Sequence, residues 1–394
     1  MKKITTIVTL LLVFSSMLVS LTEIGIVKAE PKTIVVPDDY QTIQEAINKA
    51  SEGDIIFVSS GTYHNQSLVV NKTLSLIGED AKTTILLGLD TTQTSLGPIT
   101  IAIQVDANNV TITGFTINNS YTGITGNGNG TKISGNIIRT ITNGISIGGY
   151  YKTITYNNIT GSLHGIQFFG SFSTIIGNNL TPIVEGIAVT GSSNMVSGNS
   201  IIGCQGHGIS MSGDSNTISN NNIKDDSTGI WLNTGSRNII SGNNVTENWS
   251  KGIWIYQSSN NVFHENYIAN NVKNYSGYGI TFSGLNYMAE NNTFYHNTFL
   301  NNTYHFKIES PYYVNYWDNG SEGNYWDDYT GADNDGNGIG DTPYILNENN
   351  QDNYPLMEPL VIPEFPSWII LFILVIAPLF VIFFKKKVFR SIRD

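Results

Sequence analysis

From residue 123 to 279 the chain repeats a short pattern of apolar and polar positions. The dipeptide Gly-Ile recurs at Gly123, Gly144, Gly165, Gly186, Gly208, Gly229, Gly252 and Gly279, in steps of 21, 21, 21, 22, 21, 23 and 27 residues. A second column keeps step with it, at Asn136, Asn157, Asn178, Asn199, Asn221, Asn243, Asn266 and Asn297. Three residues before each Asn stands Ile133, Ile154, Ile175, Val196, Ile218, Ile240, Phe263 or Phe294. Two after it stands Ile138, Ile159, Leu180, Ile201, Ile223, Val245, Ile268 or Phe299. Beyond Gly-Ile, the residues Ile147, Phe168, Val189, Met211, Leu232, Ile255 and Phe282 continue the alternation with period two, which predicts strands.

A short fixed period of this kind predicts a solenoid. One such coil cannot bury a core alone. Coils stacked about 4.8 Å apart close a continuous apolar interior, and identical amides at that spacing can bond to one another as an Asn ladder. The expected fold class is therefore all-β, a parallel β-helix. Helical repeats do not fit a period of two, and a flat β-sandwich would not hold one Asn register through so many repeats. Before the coils, Ile43, Ala46, Ile47 and Ala50 stand at helical spacing and are followed by a Gly-Asp turn and a strand. This reads as a capping element over the open edge of the first coil.

The coils resemble the right-handed parallel β-helix of pectate lyases and their relatives, over roughly Thr33 to Ile308. The opening, TIVVPDDYQTIQEAINKASEGDIIFVSSGTYHNQSLVV, resembles the N-terminal cap of the NosD-like family, β-helix proteins named for an accessory protein of nitrous oxide reductase. It also resembles a broader class of carbohydrate-binding proteins and sugar hydrolases. The segment GNYWDDYTGADNDGNGIGDTPY, Gly323 to Tyr344, resembles the tail of NosD-like archaeal surface proteins. The NosD resemblance implies a link to copper-site maturation. Against it, the six His and six Met form no soft-ligand cluster, Met17 lies in the leader, and there is no Cys pair, so copper is not expected.

The two ends are read as targeting segments. Lys2 and Lys3, an apolar run and Val27-Lys28-Ala29 predict a secretory signal peptide over 1–29. The run Trp368 to Phe384 is close to the length of a membrane span and is followed by Lys385, Lys386, Lys387 and Arg390. This charge bias predicts an extracellular β-helix held by one C-terminal transmembrane helix. Pro363 to Trp368 resembles the anchoring segments of archaeal surface proteins. The layout expected is a cap with first coils over 30–95, the β-helix over 96–310, an acidic and aromatic region over 311–360, a linker over 361–367, the span over 368–384 and a basic tail over 385–394.

Composition narrows the partners. A formal net charge of −11 disfavours nucleic acid and polyanionic sugars, and the single thiol, Cys204, cannot make an internal disulfide. Sequons at Asn65, Asn71, Asn129, Asn158, Asn244, Asn248 and Asn291 suit a glycosylated wall, although an Asn- and Thr-rich repeat generates many of them.

Three groups of residues carry candidate chemistry. The stretch GHGISMSG around His207 resembles a catalytic signature of polygalacturonases. The aspartates such enzymes need on preceding coils are missing, and so is a downstream Arg-Ile-Lys, so the match is explained by the repeat plus one His. The column before Gly does place His164, Glu185 and His207 on consecutive coils. These could converge on a metal or act as an acid/base set, or could be a varied solvated turn. Trp231 and Trp254, with Tyr256 and Trp249 nearby, are expected to face solvent as indole faces for sugar rings, a protein contact being the alternative. Asp333, Asp335, Asn337, the Ile339 carbonyl and Asp341 stand at positions 1, 3, 5, 7 and 9 of a hard-cation loop, also resembling dockerin-type calcium loops. Position 12 is Tyr344, so calcium would need another ligand, from Asp327, Asp328 or Asp352; a solvated turn is the alternative. The function expected is non-catalytic binding of a polysaccharide, cell-surface glycan or protein. The alternatives are a polysaccharide lyase, hydrolase or epimerase, a NosD-like copper accessory protein, and a purely structural surface protein.

Overall fold

The computed structural model describes residues 30–64, 66–88, 100–271, 277–284, 289–310 and 312–359. The expected signal segment, linker, spanning segment and tail lie outside them, as does Asn65. Among the described residues no helix is long and apolar enough to cross a membrane.

Among the described residues three parallel sheets form the solenoid. The first has 12 strands, from Thr33–Val36 to Thr293–Tyr295; the second has 11, from Leu68–Val70 to Tyr304–Ile308; the third has 12, from Gly61–Tyr63 to Tyr325–Trp326. In each sheet the neighbour of a strand is the strand one coil on, so sequence columns become spatial columns. Ile133 pairs with Ile154 and Ile154 with Ile175 in the first sheet, while Ile145, Ile166, Ile187 and Ile209 follow one another in the second. All of these are buried, as the alternation predicts. Removing such columns from water is the main apolar driving force for stacking, because no coil has an interior of its own.

The N-terminal end is closed by the helix Ile43–Lys49, whose Thr42 side chain accepts from the Glu45 amide as an N-cap and whose Ile43, Ala46 and Ile47 are buried. At the other end the solenoid does not stop at 310. Asn315, Asn324, Asn350 and Asp352 extend the buried polar columns, and Tyr325–Trp326 completes the third sheet. Aromatic rings finish the core there: Trp317 stacks on Phe294 at 4.5 Å, and Trp326 lies between Phe299 at 4.2 Å and Tyr344 at 4.5 Å.

The recurrent Gly before Ile is required by close approach. A Cβ on Gly186 would lie 2.3 Å from the Gly208 carbonyl oxygen and 2.5 Å from Ile201 Cγ2. The expected Asn ladder is present from Asn136 to Asn324, each Nδ2 donating to the Oδ1 of the next coil's Asn at 2.8–3.0 Å. Two further ladders flank it. One runs through Asn194, Asn216, Asn238, Asn261, Asn292, Asn315 and Asn350, and the other through Cys204, Asp226, Asn248, Asn271 and Asn302. Membership in this last ladder buries Asn248, which corrects its reading as an accessible sequon.

Candidate functional site

The outer face of the second sheet gathers the residues singled out by their columns. His164, Glu185 and His207 open the strands His164–Ser171, Glu185–Thr190 and His207–Ser212. Their backbones are in register, with His164 paired to Glu185. Glu185 stands between the two rings, its Oε2 3.5 Å from His164 Nδ1 and its Oε1 3.8 Å from His207 Nδ1. Each carboxylate oxygen thus faces a different imidazole. The three donors make two separate contacts rather than one convergent pocket, an arrangement suited to sharing a proton more than to gripping one ion.

Beside His207 the outer face becomes aromatic, in the column that runs on from Ser210. His207 stacks on Trp231 at 4.5 Å and 25°, and Trp231 on Trp254 at 5.3 Å and 20°. Tyr256 meets Trp254 edge-on at 5.9 Å, and the Lys251 ammonium lies 4.6 Å from the Trp254 ring centre. This corrects the expectation of open indole faces. In-register pairing of Trp231 with Trp254 brings like rings one coil apart, so they stack on each other and present their edges outward. Both are half-buried, and Trp254 Nε1 donates to Ser283 Oγ at 2.6 Å. Trp249 is turned to the corner, where its Nε1 donates to Asp225 Oδ1. Burial pushes the Lys251 amine below its usual range, and the like charge of Lys307 adds to this.

In the acidic loop the carboxylates are engaged with backbone. Asp333 accepts from the amides of Gly336, Gly338 and Asn337, and its carboxyl is held below the usual range, chiefly by the Gly338 amide. Asp335 accepts from Asn337, Asp341 from Asn334, and Asn337 Oδ1 from the Ile339 amide. Asp352 is not available as a further ligand. It is fully buried and accepts from the Asn324 amide, the Trp326 indole and the Tyr354 amide.

A different set does come together: among the described residues, His305, Asp327 and Asp328 place their donor atoms within 4.8 Å of one another. His305 Nε2 lies 2.7 Å from Asp327 Oδ1, and Tyr344 donates to Asp328. The ladder argues for a hydrogen bond here and against a metal. Asn302 is oriented by Asn271, which donates to its Oδ1, so its Nδ2 faces His305 Nδ1 at 3.4 Å. Nδ1 is therefore the acceptor, and Nε2 carries the proton toward Asp327.

Sequence reasoning assigned no role to Lys251 and missed a corner column at Tyr151 and Phe172. That column keeps the same 21-residue step, from Gly130 through Tyr151 and Phe172 to Ser193, and was readable in the same way.

The family whose sequence profile matches this chain is described as periplasmic copper-binding protein (NosD), over residues 174–331. No curated protein matches the sequence significantly. Among solved structures, a tailspike protein of E. coli bacteriophage HK620, a double mutant in complex with a pentasaccharide, has a TM-score of 0.58 at 13% identity. The likeness covers 75% of this chain and 63% of that one. The Dettilon tailspike protein has a TM-score of 0.57 at 14% identity, covering 71% of this chain and 69% of that one. The catalytic domain of a GH87 α-1,3-glucanase in complex with nigerose has a TM-score of 0.52 at 16% identity, with 74% and 70% covered. Identities this low establish the fold and leave the activity open. The 21-residue repeat and the three-sheet solenoid make the chain a parallel β-helix, the fold it shares with these structures, and its residues 174–331 match the NosD family model.

Proposed function

We propose that the chain is an outward-facing, membrane-anchored β-helix protein that binds carbohydrate on its solenoid wall without cleaving it. The observation that carries this reading is the unbroken outer row of His207, Trp231 and Trp254, flanked by Lys251 and Tyr256 on a flat sheet. Ring edges, an ammonium and a phenol side by side suit a sugar chain lying across the row, held by hydrogen bonds from its hydroxyls to the polar heads and by apolar contact with the ring edges. Proteins of the same fold that hold a pentasaccharide or nigerose support carbohydrate as the partner class. The anchor rests on the apolar run Trp368 to Phe384 and the basic residues after it.

The test is affinity electrophoresis of the full chain through gels containing xylan, galactomannan, polygalacturonate or alginate, with the length of each polysaccharide measured after incubation. Retardation in at least one gel is expected, about tenfold weaker for the Trp231→Ala, Trp254→Ala double variant, with no shortening. Free migration in all four gels ends the binding reading. Glu185 between two imidazoles favours a second reading, a polysaccharide-active enzyme. Shortening of a chain that is lost in Glu185→Gln would put catalysis in place of binding.

Copper, the metal in the matched family's description, does not fit these donors among the described residues. Cys204 and Met211 are buried in the core, Met195 lies on the outside of the first sheet, and a hard carboxylate stands between His164 and His207. Calcium at Asp333, Asp335, Asn337, Ile339 and Asp341 is a further proposal, supported by the spacing of these residues; binding would draw Asp333 away from its three amides. A melting temperature several degrees higher in millimolar calcium than in chelator is the expected result. Superimposable melts remove calcium from the account.

A further inference from the structure

We infer a second carbohydrate site, one that takes a neutral glycan, at the corner where strands Asn143–Tyr150 and His164–Ser171 leave the second sheet; it rests on the carbohydrate reading of the wall. Successive coils pass this corner through a residue in the left-handed backbone region. Gly130 (φ +67°), Ser193 (+58°), Ser215 (+57°), Asn260 (+58°) and Asn291 (+57°) are small or are Asn, which tolerates that region, and Arg237 (+56°) is a long side chain engaged by Asp214. Between Gly130 and Ser193 the column instead holds Tyr151 (+58°) and Phe172 (+57°). Bulky side chains are rare there, because the Cβ crowds the following carbonyl oxygen.

Burial does not compensate for the strain. Tyr151 is 65% exposed, Phe172 54% and Tyr150 50%. Tyr151 and Phe172 stack at 5.7 Å and 23°, and Tyr150 stands 6.5 Å from Tyr151. Next along the column are Gly130 and Ser193, too small to cover the outer faces of the stacked pair. Trp231 differs in this respect, since His207 and Trp254 occupy its two faces. Backbone strain combined with exposed rings on two adjacent coils marks a surface kept for a ligand.

The surroundings select the ligand's charge. Asn129 and Ser171 supply amide and hydroxyl groups, each already accepting a backbone N–H. The Lys152 ammonium is turned inward to the Gly128 carbonyl and Thr131. Farther along the corner, Asp214 and Arg237 pair with each other at 3.1 Å. Open aromatic faces bordered by the uncharged groups of Asn129 and Ser171 fit the apolar face of a neutral sugar ring, and Lys132, exposed on the strand that pairs with Thr153, is the cation the test with acidic gels would reveal.

The test is the Tyr151→Asn, Phe172→Asn double variant of the full chain. Asn suits the left-handed backbone, so its melting temperature is expected to be unchanged or raised. Its retardation in xylan or galactomannan gels is expected to fall at least tenfold while Trp231 and Trp254 are intact. Three results overturn the inference. Retardation in neutral gels that is lost only with the Trp variant leaves the wall reading standing without this site. A change of oligomeric state in place of lost retardation assigns the corner to self-association. Free migration of the unaltered chain in every gel removes both readings together.

Discussion

Replacing Asp226 with Asn is expected to stabilise the fold by about 4 kcal/mol at pH 8 and to change it little at pH 4. Asp226 occupies a rung that the next coils fill with Asn248 and Asn271, and its side chain is wholly buried. Its Oδ1 accepts from the Cys204 amide at 2.6 Å and the Cys204 thiol lies against the carboxyl, while Oδ2 has no nitrogen or oxygen partner. In the next rung, the corresponding atom is the Nδ2 of Asn248, a donor to Asn271. An ionised carboxylate therefore places an acceptor where the ladder provides for a donor. Burial is the largest cause that raises the Asp226 carboxyl from 3.8 to about 7.

The direction of the pH effect follows from this. A carboxyl whose folded pKa lies above its unfolded value stabilises the fold in its protonated form. That contribution is fully present below about pH 3.8 and is lost as pH rises through about 7. Roughly three units at about 1.4 kcal/mol each set the size of the loss. The amide introduced by Asp226→Asn would carry a neutral donor at every pH, so urea melts of the variant should show a flatter pH profile than those of the parent chain. A variant less stable than the parent at pH 8 would show that Oδ2 is satisfied and that this account of the ladder is wrong.

Asn221→Ala should have the opposite effect, a loss of about 3 kcal/mol. Asn221 accepts from the amide and the Nδ2 of Asn199 at 3.0 Å each, and it donates to the Val196 carbonyl and to Asn243 Oδ1 at 2.9 Å each. Truncation leaves the Asn199 amide without its partner inside the core, where an unsatisfied polar group costs about 1–3 kcal/mol, and takes one hydrogen bond each from Asn199 Nδ2 and Asn243 Oδ1, which keep Ile175 O and the Asn221 amide. Its neighbour Asn222 is the control. Half-buried on the outside, its side chain accepts from the Asn244 amide group, and Asn222→Ala should cost less than about 1 kcal/mol. Similar losses for the two variants would mean that the interior ladder adds no more than a surface amide does.

Much of this architecture was legible because stacking converts sequence columns into spatial columns. Gly-Ile and the central Asn column marked out the sheets, the inward stacks and one ladder, since each keeps its step through many coils. The two flanking ladders were equally visible, five residues before the central Asn at Asn194, Asn216 and Asn238, and five after it at Asn248 and Asn271. They were missed because Cys204 and Asp226 interrupt one of them and Ser173 precedes the other. Side-chain orientation was harder to read. Columns placed Trp231 beside Trp254, yet whether ring faces or ring edges meet solvent depends on rotamers packed against His207 and Lys251. The same holds for Glu185, whose two oxygens part toward two imidazoles, and for His305, which a column-by-column reading does not bring to Asp327.

The ladders also determine where the chain can grow. Successive rungs of the central ladder are usually 21 to 23 residues apart, but Asn266 and Asn297 are 31 apart and still bond at 2.9 Å. Asn297 and Asn324, 27 apart, bond at 2.8 Å. The ladder bond is thus kept whether 21 or 31 residues separate two rungs. The solenoid behaves as an indexed rack: new surface can be added in one slot without altering the fit of the others. A segment grafted between Asn266 and Asn297 should leave the wall around Trp231 and the corner around Tyr151 in place, so recognition on one coil can diverge independently of the rest.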